Sequence, residues 1–179
     1  MKIYSFPLAA AALILAAQPA LAALPVGSRA PDFTSQGAMK GESFAFKLAD
    51  VLKKGPVVLY FYPKAFTEGC TLEAHAFAEA ADDFRKAGAT VIGMSGDDIT
   101  TLRKFSREAC RDKFAVVSAT PEVIQSYQVS FRGNPAVSDR TSYVISKSGR
   151  ITYVHSELSY KDHVANTLAE VRRLKKGGK

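Results

Sequence analysis

The sequence predicts an α/β fold in which a central mixed β-sheet is flanked by helices. Apolar runs over residues 57–62 and 90–94 predict buried strands, and segments with helical periodicity alternate with them along the chain. Two short segments near the C-terminus, residues 142–145 and 151–155, predict a hairpin, which would make the sheet mixed. The length of 179 residues fits one domain with a sizeable core.

The first half of the domain supplies the elements around the first buried strand. Residues 24–41 predict loops and short strands, and residues 47–54 predict a short helix that a Gly-Pro pair ends. A longer helix is predicted from Cys70 to about Ala87, with Gly88 as its C-cap. Its predicted apolar face consists of residues at helical spacing, namely Leu72, Ala76, Phe77, Ala80 and Phe84.

The second half continues the alternation of helices and strands. Asp97 or Asp98 can cap the N-terminus of a helix that runs to about Asp112. Pro121 is well placed in the first turn of a short helix, because a helix N-terminus does not need its missing N–H. The other predicted elements are a strand over 114–117, the hairpin over 142–155 and a terminal helix over 160–176.

Residues 1–22 are predicted to be a cleaved signal peptide, which leaves residues 23–179 as the folded domain. An apolar stretch covers residues 8–17, and the small residues at 20–22 fit a cleavage site. A retained anchor is the alternative, but the stretch is short for a membrane span. The prediction therefore places the protein in the periplasm or outside the cell, with membrane contact only during export.

The formal net charge of +7 arises partly from a basic C-terminal segment, residues 172–179. Such a segment can bind nucleic acid or anionic lipid, but it also suits the C-terminal end of a solvated helix. No aromatic residues alternate with these charges and no nucleic-acid-binding motif accompanies them. We therefore expect no nucleic-acid partner.

The candidate reactive residue is Cys70, which lies where the first buried strand passes into the long helix. Free N–H groups and the helix dipole favour an anion there, so the thiolate form is favoured. Thr67 can offer a hydroxyl to the sulfur or its target, and Pro63 stiffens the turn. The other cysteine is Cys110, and two cysteines also allow a structural disulfide. No cofactor or metal site is predicted, because no Cys/His ligand grouping is present.

The segment from Pro63 through Thr67 to Cys70, after an apolar strand, resembles the signature of the peroxiredoxins. Residues 60–64 and 69–73 are similar to the PrxQ branch, also called bacterioferritin comigratory protein. Residues 26–33 resemble the entry segment of these enzymes, and Arg140 is followed by residues that resemble the branch's Arg-bearing strand. The resemblance covers roughly residues 24–171 and implies a thioredoxin-like fold.

The resemblance implies a thiol-dependent peroxidase, with an antioxidant role, that reduces hydrogen peroxide and organic hydroperoxides. Cys70 would attack the peroxide and become a sulfenic acid, and Arg140 would stabilise the thiolate and polarise the peroxide. Many PrxQ proteins carry a resolving cysteine five residues after the first, where this chain has His75. Cys110 is then the candidate resolver, through an intramolecular disulfide that needs local unwinding. The resemblance also implies a monomer and an external thiol or thioredoxin-like reductant.

Several alternatives stay open at the level of the sequence. Cys110 can instead be a buried spectator, with an external thiol resolving Cys70. A thiol–disulfide oxidoreductase on the same fold is less favoured, because position 67 is threonine and no Cys-x-x-Cys is present. The non-enzymatic alternative is an exported thioredoxin-like binding or copper-carrying domain with a structural disulfide between Cys70 and Cys110.

Overall fold

The computed structural model describes residues 23–177, which form a seven-stranded mixed sheet with helices on both faces. The signal peptide predicted over residues 1–22 lies outside the described residues. Within them, none of the helices is both long and apolar enough to cross a membrane. The elements, in chain order, are β1 Thr34–Met39, β2 Glu42–Lys47, α1 Leu48–Leu52, β3 Val57–Phe61, α2 Glu68–Lys86, β4 Thr90–Ser95, α3 Ile99–Glu108, β5 Ala115–Ser118, α4 Pro121–Ser126, β6 Ser130–Phe131, β7 Asn134–Ser138, β8 Thr141–Ile145, β9 Ile151–Ser156 and α5 His163–Gly177.

The strand order of the main sheet is β2-β1-β5-β4-β3-β8-β9. Strands β3, β4 and β5 are parallel, whereas β8 and β9 form the antiparallel hairpin on one side and β1 and β2 form another on the other side. The predicted mixed sheet is therefore confirmed. Every residue of β3 is buried, as expected for a central parallel strand covered on both faces.

Alternate residues of β3 serve two separate parts of the core. Val58 and Tyr60 face α2, α3 and α5, where Phe77 contributes from α2. Val57 and Leu59 face the opposite layer, to which α1 and α4 contribute. This period of two on a strand with both faces covered explains why the sequence of β3 is apolar throughout.

Helix α2 differs from the prediction in its first turn. It begins at Glu68 and not at Cys70, and Leu72 is 41% exposed although its spacing placed it on the predicted apolar face. The buried face of α2 passes instead through Cys70 and Glu73, and it includes Phe77 and Phe84 as predicted. The charged side chain of Glu73 is thus buried in a position that hydropathy alone assigns to an apolar residue.

The remaining boundaries match the prediction within a few residues, but two antiparallel strand pairs were missed: β1–β2, and β6–β7, which forms a separate two-stranded sheet. Asp98 caps α3, since its Oδ1 accepts from the N–H of Thr101 at 2.9 Å, and α3 ends at Glu108, earlier than predicted. Strands β1 and β2 form a hairpin around Lys40 and Gly41, where the sequence predicted only loops and short strands. Both turn residues have positive φ, which glycine adopts readily and lysine does not.

Candidate active site

Cys70 is the third residue of α2 and lies beside the C-terminal end of β3. Thr67 is the N-cap, and its carbonyl accepts from the N–H of Thr71 at 2.9 Å, so the preceding N–H groups of the first turn have no partner within the helix. The thiol is only 2% exposed. The predicted strand-to-helix corner is therefore present, and it places the sulfur near the positive end of the dipole of α2.

The loop between β3 and α2 is fixed by contacts from the neighbouring strand. The N–H of Ala65 donates to Oδ2 of Asp97 at 2.7 Å, and the same oxygen accepts from Oγ of Ser95 at 2.8 Å. Phe66 has a φ of 64°, which is unfavourable for a residue with a side chain, and its ring packs edge-on against Phe105 with centroids 5.2 Å apart. These contacts hold the backbone from Pro63 to Thr67 in one conformation.

Thr67 does not contact the sulfur through a hydrogen bond in this conformation. Its Oγ1 donates to the carbonyl of Lys64 at 3.0 Å, and it does not cap α2 through its side chain. Pro63 lies at the start of the loop, immediately after Tyr62, whose N–H donates to the carbonyl of Met94 at 2.9 Å. Both residues predicted from the motif thus shape the loop that precedes Cys70.

Arg140 connects the distant part of the chain to the sulfur. It lies immediately before β8, and its Nη2 is 3.4 Å from Sγ of Cys70. Its Nε donates to the carbonyl of Leu158 at 2.8 Å, and its Nη1 donates to Oε2 of Glu73. A side chain at Gly69 would place its first carbon 3.3 Å from Nη2, so glycine there allows the close approach of the guanidinium.

The charges around Arg140 are almost completely removed from water. Glu73 is 0% exposed, and burial raises the pKa of its carboxyl to about 8, although Arg140 acts in the opposite direction. Burial disfavours the charge on Arg140, but Glu73 and Cys70 outweigh it and raise its pKa. The guanidinium therefore carries its charge at all physiological pH values, whereas the carboxyl changes its charge near neutrality.

The sequence missed one member of this site. His163, at the start of α5, is fully buried, and its Nδ1 is 3.7 Å from Oε1 of Glu73. Burial lowers the pKa of its imidazole to about 4. The only sequence indication was an isolated histidine at the beginning of an amphipathic helix, which carries no spacing motif that predicts contact with Glu73.

Cys110 lies just beyond the C-cap of α3 and is 0% exposed. It belongs to the same core cluster as Cys70, and both cysteines are free thiols. Burial, with a contribution from Asp112, raises the pKa of the Cys110 thiol well above its usual value. Arg107 and Arg111 flank Cys110 in the chain, but Arg111 pairs with Glu79 at 3.3 Å and Arg107 lies against Gly41, so burial dominates at the Cys110 thiol.

A metal site would need several donors that converge, and no three His, Cys, Asp or Glu side chains do so within residues 23–177. His75 is half-buried on α2, and no hydrogen bond or ion pair joins it to another described side chain. The arrangement of Cys70 and His75 thus offers no third ligand for the copper-carrying alternative.

Comparison with known proteins identifies the family. Residues 26–154 match the model of the AhpC/TSA family. The chain is 33% identical over 150 residues to peroxiredoxin Q, chloroplastic, of Triticum aestivum, and the aligned region covers 83% of this chain and 67% of that protein. It is 31% identical over 152 residues to peroxiredoxin Bcp of Bacillus subtilis, and this aligned region covers 82% of this chain and 94% of that protein.

Solved structures agree with this family. Peroxidoxin BcpB of Mycobacterium tuberculosis superimposes with a TM-score of 0.73 at 31% identity, covering 83% of this chain and 97% of that chain. AhpC of Mycobacterium bovis, at 19% identity and a TM-score of 0.75 over 87% of this chain and 94% of that chain, supports the fold alone. The chain belongs to the AhpC/TSA family, is a peroxiredoxin enzyme related to PrxQ and Bcp, and has the predicted thioredoxin-like fold.

The predicted periplasmic or secreted location is wrong. The plant relatives are named as chloroplastic proteins, so the similarity does not carry an export address. The prediction rested on residues 1–22, whereas the family match begins at residue 26. An apolar stretch after a single basic residue shows only that the segment is hydrophobic, and hydrophobicity alone does not identify the compartment of a protein.

Proposed function

We propose that this peroxiredoxin reduces hydrogen peroxide and organic hydroperoxides through Cys70, in a cycle that is completed by Cys110 and an external thiol. The observation that carries the proposal is the position of the Arg140 guanidinium, 3.4 Å from the Cys70 sulfur at the N-terminus of a helix. Two independent sources of positive potential therefore meet at one thiol. Both attract the negative charge that the sulfur and the peroxide oxygens carry during attack, and the thiolate is the nucleophilic form of cysteine.

The chemical step is a displacement at oxygen. The thiolate of Cys70 attacks one peroxide oxygen, an S–O bond forms and the O–O bond breaks. The second oxygen leaves with the electron pair and takes up a proton, which gives water or an alcohol, while Cys70 becomes a sulfenic acid. Negative charge spreads over both oxygens in the transition state, where Arg140 and the first-turn N–H groups of α2 are already oriented towards it.

Thr67 contributes through the loop and not through a preformed bond to sulfur. Its hydroxyl donates to the Lys64 carbonyl at 3.0 Å. A rotation about its side-chain bond would bring the hydroxyl from that carbonyl to a peroxide oxygen above Cys70. Pro63 supports the same function, since its ring restricts the backbone at the start of the loop.

Cys110 resolves the sulfenic acid after local unwinding. Both cysteines are buried, and they lie on different helical segments of one core cluster. A disulfide requires their Cα atoms to come within roughly 7 Å. The segment after Cys110 is suited to release, because Arg111 and Asp112 both have positive φ, a conformation that costs on the order of 1 kcal/mol or more per residue. Attack by Cys110 on the sulfenic sulfur expels water and forms the disulfide.

An external thiol or a thioredoxin-like reductant then returns the disulfide to two thiols. The expected monomeric state and the expected absence of a nucleic-acid partner stay predictions. Light scattering after size-exclusion chromatography tests the first. An electrophoretic mobility assay tests the second.

The test follows the two thiols through one turnover. The fully reduced protein receives one equivalent of hydrogen peroxide, is quenched with a thiol-alkylating reagent within seconds, and is mapped by mass spectrometry without reduction. We expect a bridge between Cys70 and Cys110. Sulfenic or sulfinic Cys70 together with alkylated Cys110 would support the peroxidase function but assign resolution to another thiol. Alkylation of both thiols would refute the peroxidase function.

Two serine variants separate the roles of the cysteines. Cys70→Ser should abolish peroxide consumption, whereas Cys110→Ser should keep the first oxidation of Cys70 and lose the disulfide. Because Cys110 is buried, serine there can destabilise the fold. Thermal unfolding of Cys110→Ser is therefore measured together with its oxidation. A thiol-dependent cycle that runs at the wild-type rate in Cys110→Ser would show that Cys110 is a spectator.

A further inference from the structure

A basic surface covers the exposed side of α3 and the turn between β1 and β2. Its cations are one residue of the turn and three residues of the helix, namely Lys40, Arg103, Lys104 and Arg107, and each of them is exposed. Within residues 23–177, no ion pair joins any of these cations to an acidic side chain. The surface therefore presents positive charges that no carboxylate neutralises by direct contact.

Contacts between the turn and the helix hold this basic surface in one shape. Nε of Arg103 donates to the carbonyl of Gly41 at 2.6 Å, and the N–H of Gly41 donates to Oγ of Ser106 at 3.0 Å. A side chain at Gly41 would place its first carbon 2.5 Å from Cδ of Arg107, so glycine lets that arginine cross the turn. An open cavity at this contact is lined by Gly41, Thr100, Arg103, Lys104 and Arg107. The charges thus surround a concave site that an acidic side chain can enter.

The basic segment at the end of α5 differs in both charge and position. Arg172 pairs with Asp83 at 3.0 Å, so part of its charge is neutralised. Nζ of Lys175 donates to the carbonyl of Lys86, the last residue of α2, which lies about 24 Å along that helix from Cys70. This segment is therefore remote from the reactive sulfur, and it serves below as a control of similar charge.

The basic surface on α3 lies next to the second cysteine. Cys110 follows α3 directly, and its N–H donates to the carbonyl of Phe105 at 3.0 Å, so the last turn of the helix positions it. At a rise of 1.5 Å per residue, Arg107 and Arg103 precede Cys110 by about 4.5 and about 10.5 Å along the helix axis. These distances are close to or below the Debye length of about 10 Å at 0.1 M salt. The charges therefore act on any charged group that approaches Cys110 from the side of α3.

Phe66 adds an apolar ring beside the same helix. Its side chain is 44% exposed, and the ring packs edge-on against Phe105 of α3. Arginine and aromatic side chains are both enriched in protein–protein interfaces. This composition favours a protein as the partner of the basic surface, and a nucleic acid would bring no thiol to the neighbouring cysteine.

The two sulfurs of the proposed bridge between Cys70 and Cys110 are not equivalent towards a reductant. A thiolate that attacks Cys110 forms a new S–S bond to it, and the electron pair of the broken bond leaves on Cys70. Nη2 of Arg140, 3.4 Å from the Cys70 sulfur, stabilises that departing charge. The second thiol of the reductant then attacks the first, passes its proton to Cys110 and releases it as a thiol. We therefore expect the reductant to approach Cys110, beside α3.

We propose that the basic surface of Lys40, Arg103, Lys104 and Arg107 docks the protein that reduces the bridge, and that this partner is an acidic dithiol protein. Acidic side chains around the partner's thiol would complement these cations and would raise the rate of association. The inference rests on the proposed function, because it takes Cys110 as the resolving cysteine. It adds the location of the docking surface and the charge of the partner.

The first experiment measures how fast the oxidised protein is reduced by dithiols that differ in charge. They are a short Cys-x-x-Cys peptide rich in glutamate, the same peptide with lysine in place of glutamate, and uncharged dithiothreitol. The test variant is Lys104→Gln/Arg107→Gln, which keeps the bond from Arg103 to Gly41. At low salt we expect the glutamate peptide to reduce wild type about tenfold faster than the variant, and about 0.5 M salt should remove the difference. The lysine peptide should show no such preference, and dithiothreitol should reduce both proteins equally.

The matched control is Arg172→Gln/Lys176→Gln, which removes the same charge from α5 and should behave like wild type with each dithiol. Lys104→Gln alone leaves Arg107 against Gly41 and should give part of the loss, while thermal unfolding monitors the fold. Equal rates of wild type and the test variant with the glutamate peptide would overturn the proposal. An equal loss in the control, or a similar loss with dithiothreitol, would overturn it as well, because the effect would then not depend on charge at α3.

A binding measurement keeps the inference separate from the proposed function. The glutamate peptide with serine in place of both cysteines is titrated into the reduced protein, and backbone amide chemical shifts are followed by NMR. We expect shifts confined to α3 and the turn at Lys40, which are absent in the test variant and at high salt. No shifts, or equal shifts around residues 172–176, would overturn the docking surface. Absence of the bridge after peroxide treatment would instead refute the role of Cys110, on which these shifts do not depend.

Discussion

Replacing Arg140 by lysine tests whether the geometry of the guanidinium, beyond its charge, accelerates the first oxidation. Arg140 makes three directed contacts at once, to Cys70, Glu73 and the carbonyl of Leu158. Lysine keeps the positive charge, but its single side-chain nitrogen does not reach as far from the backbone as the guanidinium nitrogens of arginine do. It can satisfy Glu73 and would then leave the sulfur without its nearest donor.

The magnitude follows from the distances. A unit charge 3.4 Å from Sγ attracts the thiolate by about 5 kcal/mol at an effective dielectric constant of about 20. A charge withdrawn to about 5.5 Å attracts it by about 3 kcal/mol, and the difference of about 2 kcal/mol corresponds to about 30-fold in rate. The lost directed hydrogen bond adds to this, so we expect Arg140→Lys to oxidise about 100-fold more slowly.

The assay is rapid-quench oxidation by excess hydrogen peroxide, followed by alkylation and quantification of the remaining Cys70 thiol by mass spectrometry. Arg150→Lys is the matched control, because Arg150 donates to the carbonyl of Gly27 at 3.0 Å, outside the contacts of Cys70 and Arg140. Thermal unfolding monitors the fold of both variants. An Arg140→Lys rate within threefold of the control would refute the assignment of the guanidinium geometry to catalysis.

Two further predictions concern the loop and the buried histidine. Thr67→Val keeps the shape but removes the hydroxyl, and we expect oxidation of Cys70 to slow roughly 100-fold, with Thr100→Val unaffected; an unchanged rate would exclude the hydroxyl from the reaction. The pKa of His163 falls on folding from 6.5 to about 4, so its contribution to stability is complete above pH 6.5 and is lost as the pH falls towards 4. Between pH 6.5 and 4, denaturant unfolding should show that the free energy of unfolding of wild type falls by about 3 kcal/mol more than that of His163→Asn. Equal decreases in the two proteins would contradict burial as the cause of the lowered His163 pKa.

The strand, loop and first helix of the site could be predicted because their information is local. Pro63, Thr67 and Cys70 lie within eight residues, between a continuous apolar run and a helical pattern, and backbone geometry alone then places the sulfur at a helix N-terminus. Arg140 could not be derived in this way, since 70 residues separate it from Cys70. Only the resemblance to PrxQ indicated its role.

Errors arose where tertiary context overrides local preference. Helical periodicity placed Leu72 in the core, but it is exposed because the buried face of α2 passes through Cys70 and Glu73. The hairpin of β1 and β2 was missed because Lys40, with positive φ, occupies the turn position before Gly41 where Asn, Asp or Gly is typical. The pairing of Glu73 with His163 depends on how α5 packs against α2, which no local pattern encodes.

Arg140 and Glu73 are both buried beside Cys70, and this burial lets two residues control the electrostatic environment of the sulfur. A salt bridge exposed to water would be screened and would stabilise the thiolate little. Here the guanidinium and the carboxyl are both buried, so one proton on Glu73 changes the net charge beside Cys70 by a full unit in a medium of low dielectric constant. A carboxyl that stayed ionised would hold Arg140 in place but neutralise it, and an apolar residue would leave it charged but unsupported. Because burial raises the pKa of Glu73 to about 8, its carboxyl can hold Arg140 through Oε2 while it is protonated, which gives a physical reason for a buried acid at a position where hydropathy favours leucine.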